Sequence, residues 1–375
     1  MFSIHVDTAR TWRGGQNQVL LTVLGLRARG HRAALVAHPR GELFRRVADG
    51  RDLYPIAQKT ELDLHAAWNL SCLLRDLQPD VVHAHDAHAV TLAVLARSLT
   101  GLVTSRLMVS RRVDFHVGKN AASRWIYRQV DRFLCASSAI RSILIEDGIP
   151  ASRTRVVYEG IDLARITAAP PVDAHAEFGL PAGAPIVGNV AALVPHKGQR
   201  YLVDAAARVV QTIPGARFLV VGDGELETRL SRQLKQLGLE GHVILTGFRS
   251  NVLSLHKSFD LFVMSSLTEG LGTSVLDAMA CGRPVVGTKA GGIPESISDG
   301  QTGLLVPVRD APALAEAIIR LLRDPSLSRA FGNAGRNRVR ALFSAERMVD
   351  ETVACYSESV DTDRATDIAR PPGAG

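Results

Sequence analysis

Two carboxylates with seven residues between them, Glu269 and Asp277, flank a glycine-punctuated turn in the second half of the chain. An apolar run over residues 260–264 predicts a strand before the turn, and the pattern after the turn predicts a helix. Glycines at 270 and 272 let the backbone approach a ligand closely, because no side chain projects from their Cα atoms. The free N–H groups at the helix start would then face an anion. This arrangement suits a ligand that is both phosphorylated and rich in hydroxyl groups, such as a nucleotide sugar.

The rest of the chain predicts the elements that must hold this turn. With 375 residues and 46% hydrophobic content, the chain is long enough for two domains. In both halves, short apolar runs alternate with amphipathic helical patterns, which is typical of parallel α/β sheets. Ligands of such sheets bind outside the carboxyl ends of the strands. The predicted fold is therefore α/β, with two Rossmann-like domains whose parallel sheets face a central cleft.

A shift in composition towards proline, alanine and glycine around residues 150–185 predicts the linker between the domains. We assign residues 1–165 to an amino-terminal domain that binds the acceptor, and residues 166–361 to a carboxyl-terminal domain that binds the nucleotide sugar. A final helix over residues 345–360 is a candidate to pack back on the first domain. Residues 362–375 are polar and rich in proline and glycine, and they predict a disordered tail.

The net charge of +7 is unevenly distributed. Residues 1–165 hold 23 Lys and Arg against 15 Asp and Glu, whereas residues 166–375 hold 21 against 22. A basic first domain is compatible with a phosphorylated acceptor or with peripheral association at an anionic membrane, although an arginine-rich solvated surface explains it equally well. No basic run interleaved with aromatic residues accompanies this charge, so we expect no nucleic-acid partner. The scattered cysteines and the lack of a targeting segment predict a cytoplasmic protein, with the inner face of the membrane as a compatible site.

Several motifs follow one another in an order that is typical of a known enzyme family. In the second half they are residues 187–198, Val221-Gly222-Asp223-Gly224, Thr246-Gly247-Phe248, the acidic turn and Gly291-Gly292-Ile293-Pro294-Glu295. The first half adds Gly14-Gly15-Gln16, Gly30-His31 and the runs at residues 80–85 and 156–162. Together these motifs resemble glycosyltransferase family 4, a large group of retaining enzymes with the GT-B fold.

The resemblance implies transfer of a sugar from a nucleotide-sugar donor to a hydroxyl acceptor, with retained anomeric configuration and without a metal or other cofactor. It implies two catalytic residues, Lys197 for the donor diphosphate and Glu269 for the donor sugar. It places Asp277 at the ribose hydroxyls. The donor-binding residues that it implies are Gly14, Gly15, Gly222, Gly224, Phe248, Arg249, Gly270, Leu271, Gly272, Thr273, Ser274 and Asp277.

Two positions in the second half depart from the family pattern. Ala192 stands where an arginine usually makes a second contact with the phosphates. Lys197 must then act with the helix N–H groups alone, or another base such as Arg249 or Lys289 must reach in. Asp277 stands where a glutamate is usual, and its shorter side chain can still bind a diol.

The residues expected to bind the acceptor also depart from the family pattern. Arg111 and Arg112 follow a predicted strand where the family usually has a histidine. Together with His85, they are the candidate acceptor-binding residues, because two guanidinium groups can grip an anionic glycan or a lipid-linked phosphate bidentately.

Two histidines raise the question of a metal. Alternation along a strand places His83 and His85 on the same face, which is compatible with chelation. No carboxylate or cysteine cluster completes a site, and zinc normally needs three or four protein ligands. We therefore expect no metal, and these histidines then line the floor of the cleft or satisfy hydrogen bonds there.

Two other functions remain open for this fold. One is a nucleotide-sugar epimerase, which would need no acceptor. The other is a non-catalytic partner subunit, which the missing arginine at Ala192 suggests. The expected setting of a transferase is the synthesis of lipopolysaccharide or another cell-envelope glycan; the nucleotide base, the sugar, the acceptor and the oligomeric state are left open.

Overall fold

A computed structural model describes residues 1–47, 51–100, 105–118 and 120–368 of the protein. The chain forms two compact units. The first contains residues 1–160 and the chain from Ala345 onward, and the second contains Ile161–Ser344. The division therefore falls five residues before the boundary at 165/166 that the composition suggested.

The first unit is built on a seven-stranded parallel sheet with the strand order β3-β2-β1-β4-β5-β6-β7. Its strands are β1 (Phe2–Asp7), β2 (Arg32–Ala37), β3 (Leu53–Pro55), β4 (Val81–Ala84), β5 (Arg106–Arg111), β6 (Arg132–Cys135) and β7 (Thr154–Val156). Its first helices are α1 (Gly14–Ala28), α2 (Glu42–Arg46), α3 (Leu64–Leu77), α4 (Ala87–Thr100), α5 (Ala121–Arg128) and α6 (Ser138–Glu146). The strand order reverses between β1 and β4, and this is the point at which doubly wound sheets bind ligands.

The register of the central strands decides which side chains meet there. In the parallel pairing of β1 with β4, His5 lies opposite His83. Both strands are buried on both faces, and in β1 the buried polar residues Ser3, His5 and Asp7 alternate with apolar ones. Because the two histidines share a register position, their imidazoles lie on the same face of the sheet.

The second unit is built on a six-stranded parallel sheet with the order β10-β9-β8-β11-β12-β13. Its strands are β8 (Ile186–Val190), β9 (Arg217–Val221), β10 (Val243–Gly247), β11 (Leu261–Met264), β12 (Val285–Thr288) and β13 (Leu304–Val306). Its helices are α7 (Leu163–Ala168), α8 (Ala174–Phe178), α9 (Gln199–Thr212), α10 (Glu227–Gln236), α11 (Val252–His256), α12 (Thr273–Ala280), α13 (Ile293–Ser296), α14 (Ala311–Arg323) and α15 (Pro325–Leu342).

Here the strand order reverses between β8 and β11, which are direct neighbours in the sheet. The loops that leave their carboxyl ends therefore start side by side. One of these loops carries Lys197 and the other carries Glu269. The two predicted catalytic residues thus come from different motifs that the sheet topology brings together.

The last helix, α16 (Ala345–Ile368), belongs to the first unit, where it packs against α1. The predicted linker over 150–185 is not structureless, since it contains β7, α7 and α8. The predicted tail over 362–375 is also too long, because α16 is helical to Ile368; residues 369–375 lie outside the described part of the chain. None of the described helices has the length and apolarity that crossing a bilayer would require.

Candidate active site

The acidic turn of the second unit lies between β11 and α12, as the sequence predicts. Helix α12 begins after Gly272, whose φ of +88° is in the left-handed region that glycine adopts without strain. No side chain caps this helix start. Within the described residues, the N–H groups of Thr273 and Ser274 have no hydrogen-bond acceptor. Two donors with the positive end of the helix dipole behind them are therefore available to an anion.

The Lys197 ammonium and the Glu269 carboxylate are in direct contact. Lys197 Nζ lies 2.6 Å from Glu269 Oε2, and the two side chains are 19% and 13% exposed. The loops that carry them are joined by backbone contacts as well. The Leu267 amide donates to the carbonyl of His196 at 2.7 Å, and the Ser265 hydroxyl donates to the carbonyl of Lys197 at 3.1 Å. This ion pair is therefore held from both sides, and enough of it is exposed for a ligand to reach it.

Ser266 adds a second hydrogen bond to the same carboxylate oxygen. Its hydroxyl donates to Glu269 Oε2 at 3.1 Å, and the side chain is fully buried. The carbonyl of Ser266 in turn accepts from the Thr288 hydroxyl at 2.6 Å. Sequence reasoning missed Ser266, although it is the second residue after the buried strand β11, at the predicted ligand edge.

Glycines hold the backbone of Glu269 in place. The amide of Gly292 donates to the carbonyl of Glu269 at 2.9 Å. Gly291 has a φ of +48°, and a Cβ there would lie 2.0 Å from the same carbonyl oxygen. The Gly-Gly motif of the family pattern thus has a steric reason in this chain, because only glycine allows this close approach.

Asp277 lies in the second turn of α12. Burial raises the pKa of its carboxyl group to about 7, and the positive charge of Arg165 only partly opposes this. No hydrogen-bond donor contacts the Asp277 carboxylate among the described residues. The side chain is half-buried and keeps access to solvent. An unpaired and partly exposed carboxylate of this kind is suited to accept hydrogen bonds from ligand hydroxyl groups.

The glycine loop after β9 has a structural role. Gly222 and Gly224 have φ values of +136° and +151°. A Cβ at Gly222 would lie 2.1 Å from the carbonyl oxygen of Ala191, and a Cβ at Gly224 would lie 2.5 Å from that of Leu193. These glycines therefore fix the loop that contains Ala192, the position without the usual arginine.

Phe248 and Arg249 follow β10. Phe248 is 66% exposed, so its ring is available for stacking. Arg249 is engaged elsewhere, because its guanidinium group pairs with Glu177 at 3.2 Å and lies over the ring of Phe178. It would have to leave both partners to replace the missing arginine at Ala192, whereas Lys289 is exposed.

In the first unit, Gly14 and Gly15 open helix α1. No heavy atom lies within 4 Å of a Cβ built at Gly15, so packing does not require glycine there. The capping interaction comes from Gln16, whose side chain accepts from the Arg13 amide at 3.2 Å and donates to Asp7 at 3.2 Å. Burial and the nearby Asp86 carboxylate raise the pKa of Asp7 to about 6.

Three buried histidines, His5, His83 and His85, form a cluster in this unit with ligand atoms within 4.8 Å of one another. Each of their six ring nitrogens already has a hydrogen-bond partner. The contacts are His5 Nδ1 with His85 Nε2 at 2.9 Å, His5 Nε2 with Ser3 at 3.0 Å, His83 Nδ1 with Tyr356 at 2.5 Å, His83 Nε2 with Ser110 at 2.9 Å, and His85 Nδ1 with Arg112 at 3.2 Å.

Arg112 determines which ring nitrogen of His85 carries the proton. Its guanidinium group can only donate, so His85 Nδ1 must accept and His85 Nε2 must carry the proton that it shares with His5. Burial lowers the pKa of all three histidines, and that of His5 falls to about 3. The neighbouring cation and the occupied nitrogens both oppose a metal ion, and the absence of a metal stays a prediction.

The structure separates the two arginines that we expected to act together. Arg112 pairs with Glu159 at 3.4 Å and contacts His85, so these two predicted acceptor residues do meet. Arg111 is buried, and it donates to the carbonyl of Phe115 and to the Tyr127 hydroxyl. The two guanidinium groups therefore have different surroundings, because adjacent side chains at the end of a strand point to opposite faces, and their role at an acceptor stays a prediction.

Two parallel doubly wound sheets, each with polar residues at its switch point, match the fold of solved GT-B glycosyltransferases. The sequence profile of Glycosyl transferases group 1 matches residues 173–338, and that of Glycosyltransferase Family 4 matches residues 12–165. The chain belongs to glycosyltransferase family 4.

Three known proteins illustrate the similarity. The putative glycosyltransferase EpsD of Bacillus subtilis is 31% identical over 76% of this chain and 78% of its own. The lipopolysaccharide core biosynthesis glycosyltransferase LpsE of Rhizobium meliloti is 32% identical over 60% of this chain and 63% of its own. Anabaena HepE, solved with UDP-glucose, superposes with a TM-score of 0.81 at 21% identity over 96% of this chain and all of its own.

Proposed function

We propose that this protein transfers a hexosyl or related sugar residue from a nucleotide-sugar donor to a hydroxyl group of a cell-envelope glycan, with retained anomeric configuration and without a metal at the reacting centre. The arrangement around Lys197 carries the proposal. A paired ammonium and carboxylate lie beside a helix start with free amides, and the same helix carries the Asp277 carboxylate, which no hydrogen-bond donor contacts within the described part of the chain. These groups match the diphosphate, the sugar and the ribose of one ligand.

The roles of these groups follow from the charges that develop when the donor bond breaks. The bond between the anomeric carbon and the phosphate oxygen breaks, which leaves negative charge on the diphosphate and positive character on the sugar. Lys197 and the amides of Thr273 and Ser274 would stabilise the diphosphate, and such groups act strongly because they are already in place. Lys197 would exchange its contact with Glu269 for the phosphate, and Glu269 would then accept a hydrogen bond from the sugar.

Retention would result from attack on the same face of the sugar that the diphosphate leaves. A bond forms between the acceptor oxygen and the anomeric carbon, and the departing phosphate takes the acceptor's proton. This step needs no carboxylate as nucleophile and no oxidant or reductant. It is consistent with a Glu269 carboxylate that the Ser266 hydroxyl holds in place by a hydrogen bond.

Two comparisons support the substrate classes. The UDP-glucose bound to HepE supports a nucleoside-diphosphate sugar as donor, and Asp277 would bind the ribose that all such donors share. The LpsE relative supports an acceptor in the lipopolysaccharide core or in a related envelope glycan. Nucleotide sugars are cytoplasmic metabolites, so the protein would act in the cytoplasm or at the inner face of the membrane.

The direct test uses the purified protein and three nucleotides. We expect UDP, GDP or ADP to raise the thermal unfolding temperature, because a ligand that binds only the folded state stabilises it. The responding nucleotide then selects the sugar donor, and release of nucleotide is measured with and without an envelope glycan acceptor. Conversion of the donor without any acceptor would indicate an epimerase. Binding without any turnover, with a competent acceptor present, would indicate a non-catalytic subunit.

Ser266 is expected to position the Glu269 carboxylate. Ser266→Ala removes a hydrogen bond to a charged group, which is worth about 1.5–3 kcal/mol. We expect kcat to fall roughly 10-fold or more while KM for the donor stays nearly constant, since Lys197 and the helix amides still bind the diphosphate. Ser258→Ala is the matched control, because the Ser258 hydroxyl donates to the carbonyl of Leu255 in the preceding helix α11, away from Glu269. Equal kcat values for both variants would contradict the role of Ser266.

Asp277 is expected to make donor binding depend on pH. The ionised carboxylate accepts hydroxyl hydrogen bonds better than the neutral acid does, so affinity for the nucleotide should rise as the pH increases through about 7. Asp277→Asn should lower affinity about 10-fold to 100-fold at pH 8 and flatten this dependence. Titration calorimetry between pH 5.5 and 8.5 (about the range that brackets this pKa) measures both effects.

The same variant should affect stability in the opposite direction. Because the folded pKa of Asp277 lies above its unfolded value of 3.8, folding is penalised as the pH rises from about 4 to about 7. Asp277→Asn removes this penalty, so the variant should be more stable than the wild type at pH 8 and no more stable at pH 4. A variant that loses both affinity and stability at pH 8 would show that Asp277 has a structural role instead.

A further inference from the structure

We propose that the first unit carries a docking surface for an anionic bilayer at the carboxyl edge of its sheet. Two groups of exposed apolar side chains form it. The first apolar cluster is Leu62, Leu64 and Trp68, and the second apolar cluster is Val113, Phe115 and Trp125. The inference extends the proposed function, because it names the surface through which the protein would reach an acceptor held in a membrane.

The first apolar cluster lies at the start of α3, which has two apolar sides. Ala66 and Leu70 are buried in the core of the unit. Leu64 and Trp68, one turn apart on another side of the helix, are 66% and 52% exposed, and Leu62 just before the helix is 66% exposed. Single exposed apolar residues are ordinary, but three large ones within two turns mark a site of interaction.

The second apolar cluster follows β5 and continues into α5. Val113 and Phe115 are 43% and 54% exposed, and Trp125 is 45% exposed. None of the residues of α5 is buried. Tyr127 stacks on Phe133 of the core and anchors the helix, so Trp125 is left on the outer side.

Both clusters lie on one face of the sheet, near one edge. Helices α3, α4 and α5 all pack on the same core, which places them on the same face. Each helix follows a parallel strand, so its first turn lies at the carboxyl edge, where His85 and Arg112 also lie. Among the described residues, nine of the twelve exposed large hydrophobic side chains are in the first unit and three are in the second.

The charge beside the second apolar cluster indicates a lipid partner. Arg124 and Arg128 are exposed on α5, and neither has an acidic partner within the described structure. Tryptophan prefers the interfacial region of a bilayer, and basic side chains near an anionic leaflet strengthen binding to it. A second copy of the chain would bring the same positive charge to this surface and is disfavoured.

Co-sedimentation of the full-length protein with vesicles tests the inference. We expect binding to vesicles of phosphatidylcholine with phosphatidylglycerol, and much weaker binding to phosphatidylcholine alone. Leu64→Ser with Trp68→Ser, and separately Phe115→Ser with Trp125→Ser, should each lower the partition coefficient about 10-fold or more. Arg124→Glu should weaken binding to the anionic vesicles only.

The matched control is Leu24→Ser with Leu99→Ser. These leucines are 45% and 48% exposed in the same unit. Leu24 lies in α1, which packs in a different core cluster, and Leu99 lies in the last turn of α4, at the opposite edge. Thermal unfolding of every variant confirms that it is folded.

The outcomes separate this inference from the proposed function. If vesicle binding falls equally in the control and in both cluster variants, the proposed docking surface is contradicted. The docking surface is also contradicted if the wild-type protein binds a nucleotide but neither kind of vesicle. In that case the proposed donor binding would stand. A dimer that only the cluster variants disrupt would assign the surface to a second copy. Failure to bind any nucleotide, with vesicle binding intact, would instead reject the proposed function.

Discussion

Replacement of Lys197 by alanine is expected to lower kcat by about 100-fold or more, because the variant loses a preorganised charge at the leaving diphosphate. KM for the donor should rise less than kcat falls, since the helix amides and Asp277 still contribute to ground-state binding. The effect is measured as nucleotide release under saturating donor. Lys197→Arg keeps the charge but changes its geometry, and its kcat should lie between those of the wild type and the alanine variant.

The ion pair with Glu269 offers a second explanation for a loss of activity. Removal of Lys197 leaves the Glu269 carboxylate, which is only 13% exposed, without its closest cation, and this could disturb the loop itself. Thermal unfolding and nucleotide affinity of the variant distinguish the two causes. Lys235→Ala, at an exposed position on α10 of the same unit, controls for loss of a positive charge alone. A Lys197→Ala enzyme with wild-type turnover would exclude the catalytic role.

Much of the second unit could be predicted from its sequence, because its signals are local. The strand, the glycine turn and the helix around Glu269 are contiguous, and they occur as predicted. The contact between Lys197 and Glu269 was not predictable in this way. It depends on β8 and β11 being neighbours, and this is a property of the sheet order rather than of either motif.

The contacts that sequence analysis missed in the first unit have two physical causes. One is long range: His5 meets His83 only through the register of β1 and β4, and Tyr356 reaches the same cluster from the last helix. The other is local. Strand alternation places Arg111 and Arg112 on opposite faces, so their separate surroundings were predictable from the sequence, whereas their role at an acceptor stays a prediction.

Tyr356 is expected to be the residue of α16 on which the stability of the first unit depends most. It is fully buried, it belongs to the core formed with α1 and β2, and its hydroxyl contacts His83 Nδ1 at 2.5 Å. Tyr356→Ala should cost about 3–5 kcal/mol, the range for the loss of a large aromatic side chain from a core. Tyr356→Phe keeps the packing but leaves the ring nitrogen of His83 unpaired, which should cost about 1–3 kcal/mol.

Calorimetry of the intact protein measures both costs, because two compact units can unfold in separate transitions. The transition of the first unit should move to lower temperature in the order wild type, Tyr356→Phe, Tyr356→Ala, while that of the second unit stays in place. Ser357→Ala, at an exposed position on the same helix, should leave both transitions unchanged. A change confined to the second transition would contradict the assignment of α16 to the first unit. Equal shifts for alanine and phenylalanine would show that the hydroxyl contact dominates and that the cavity matters little.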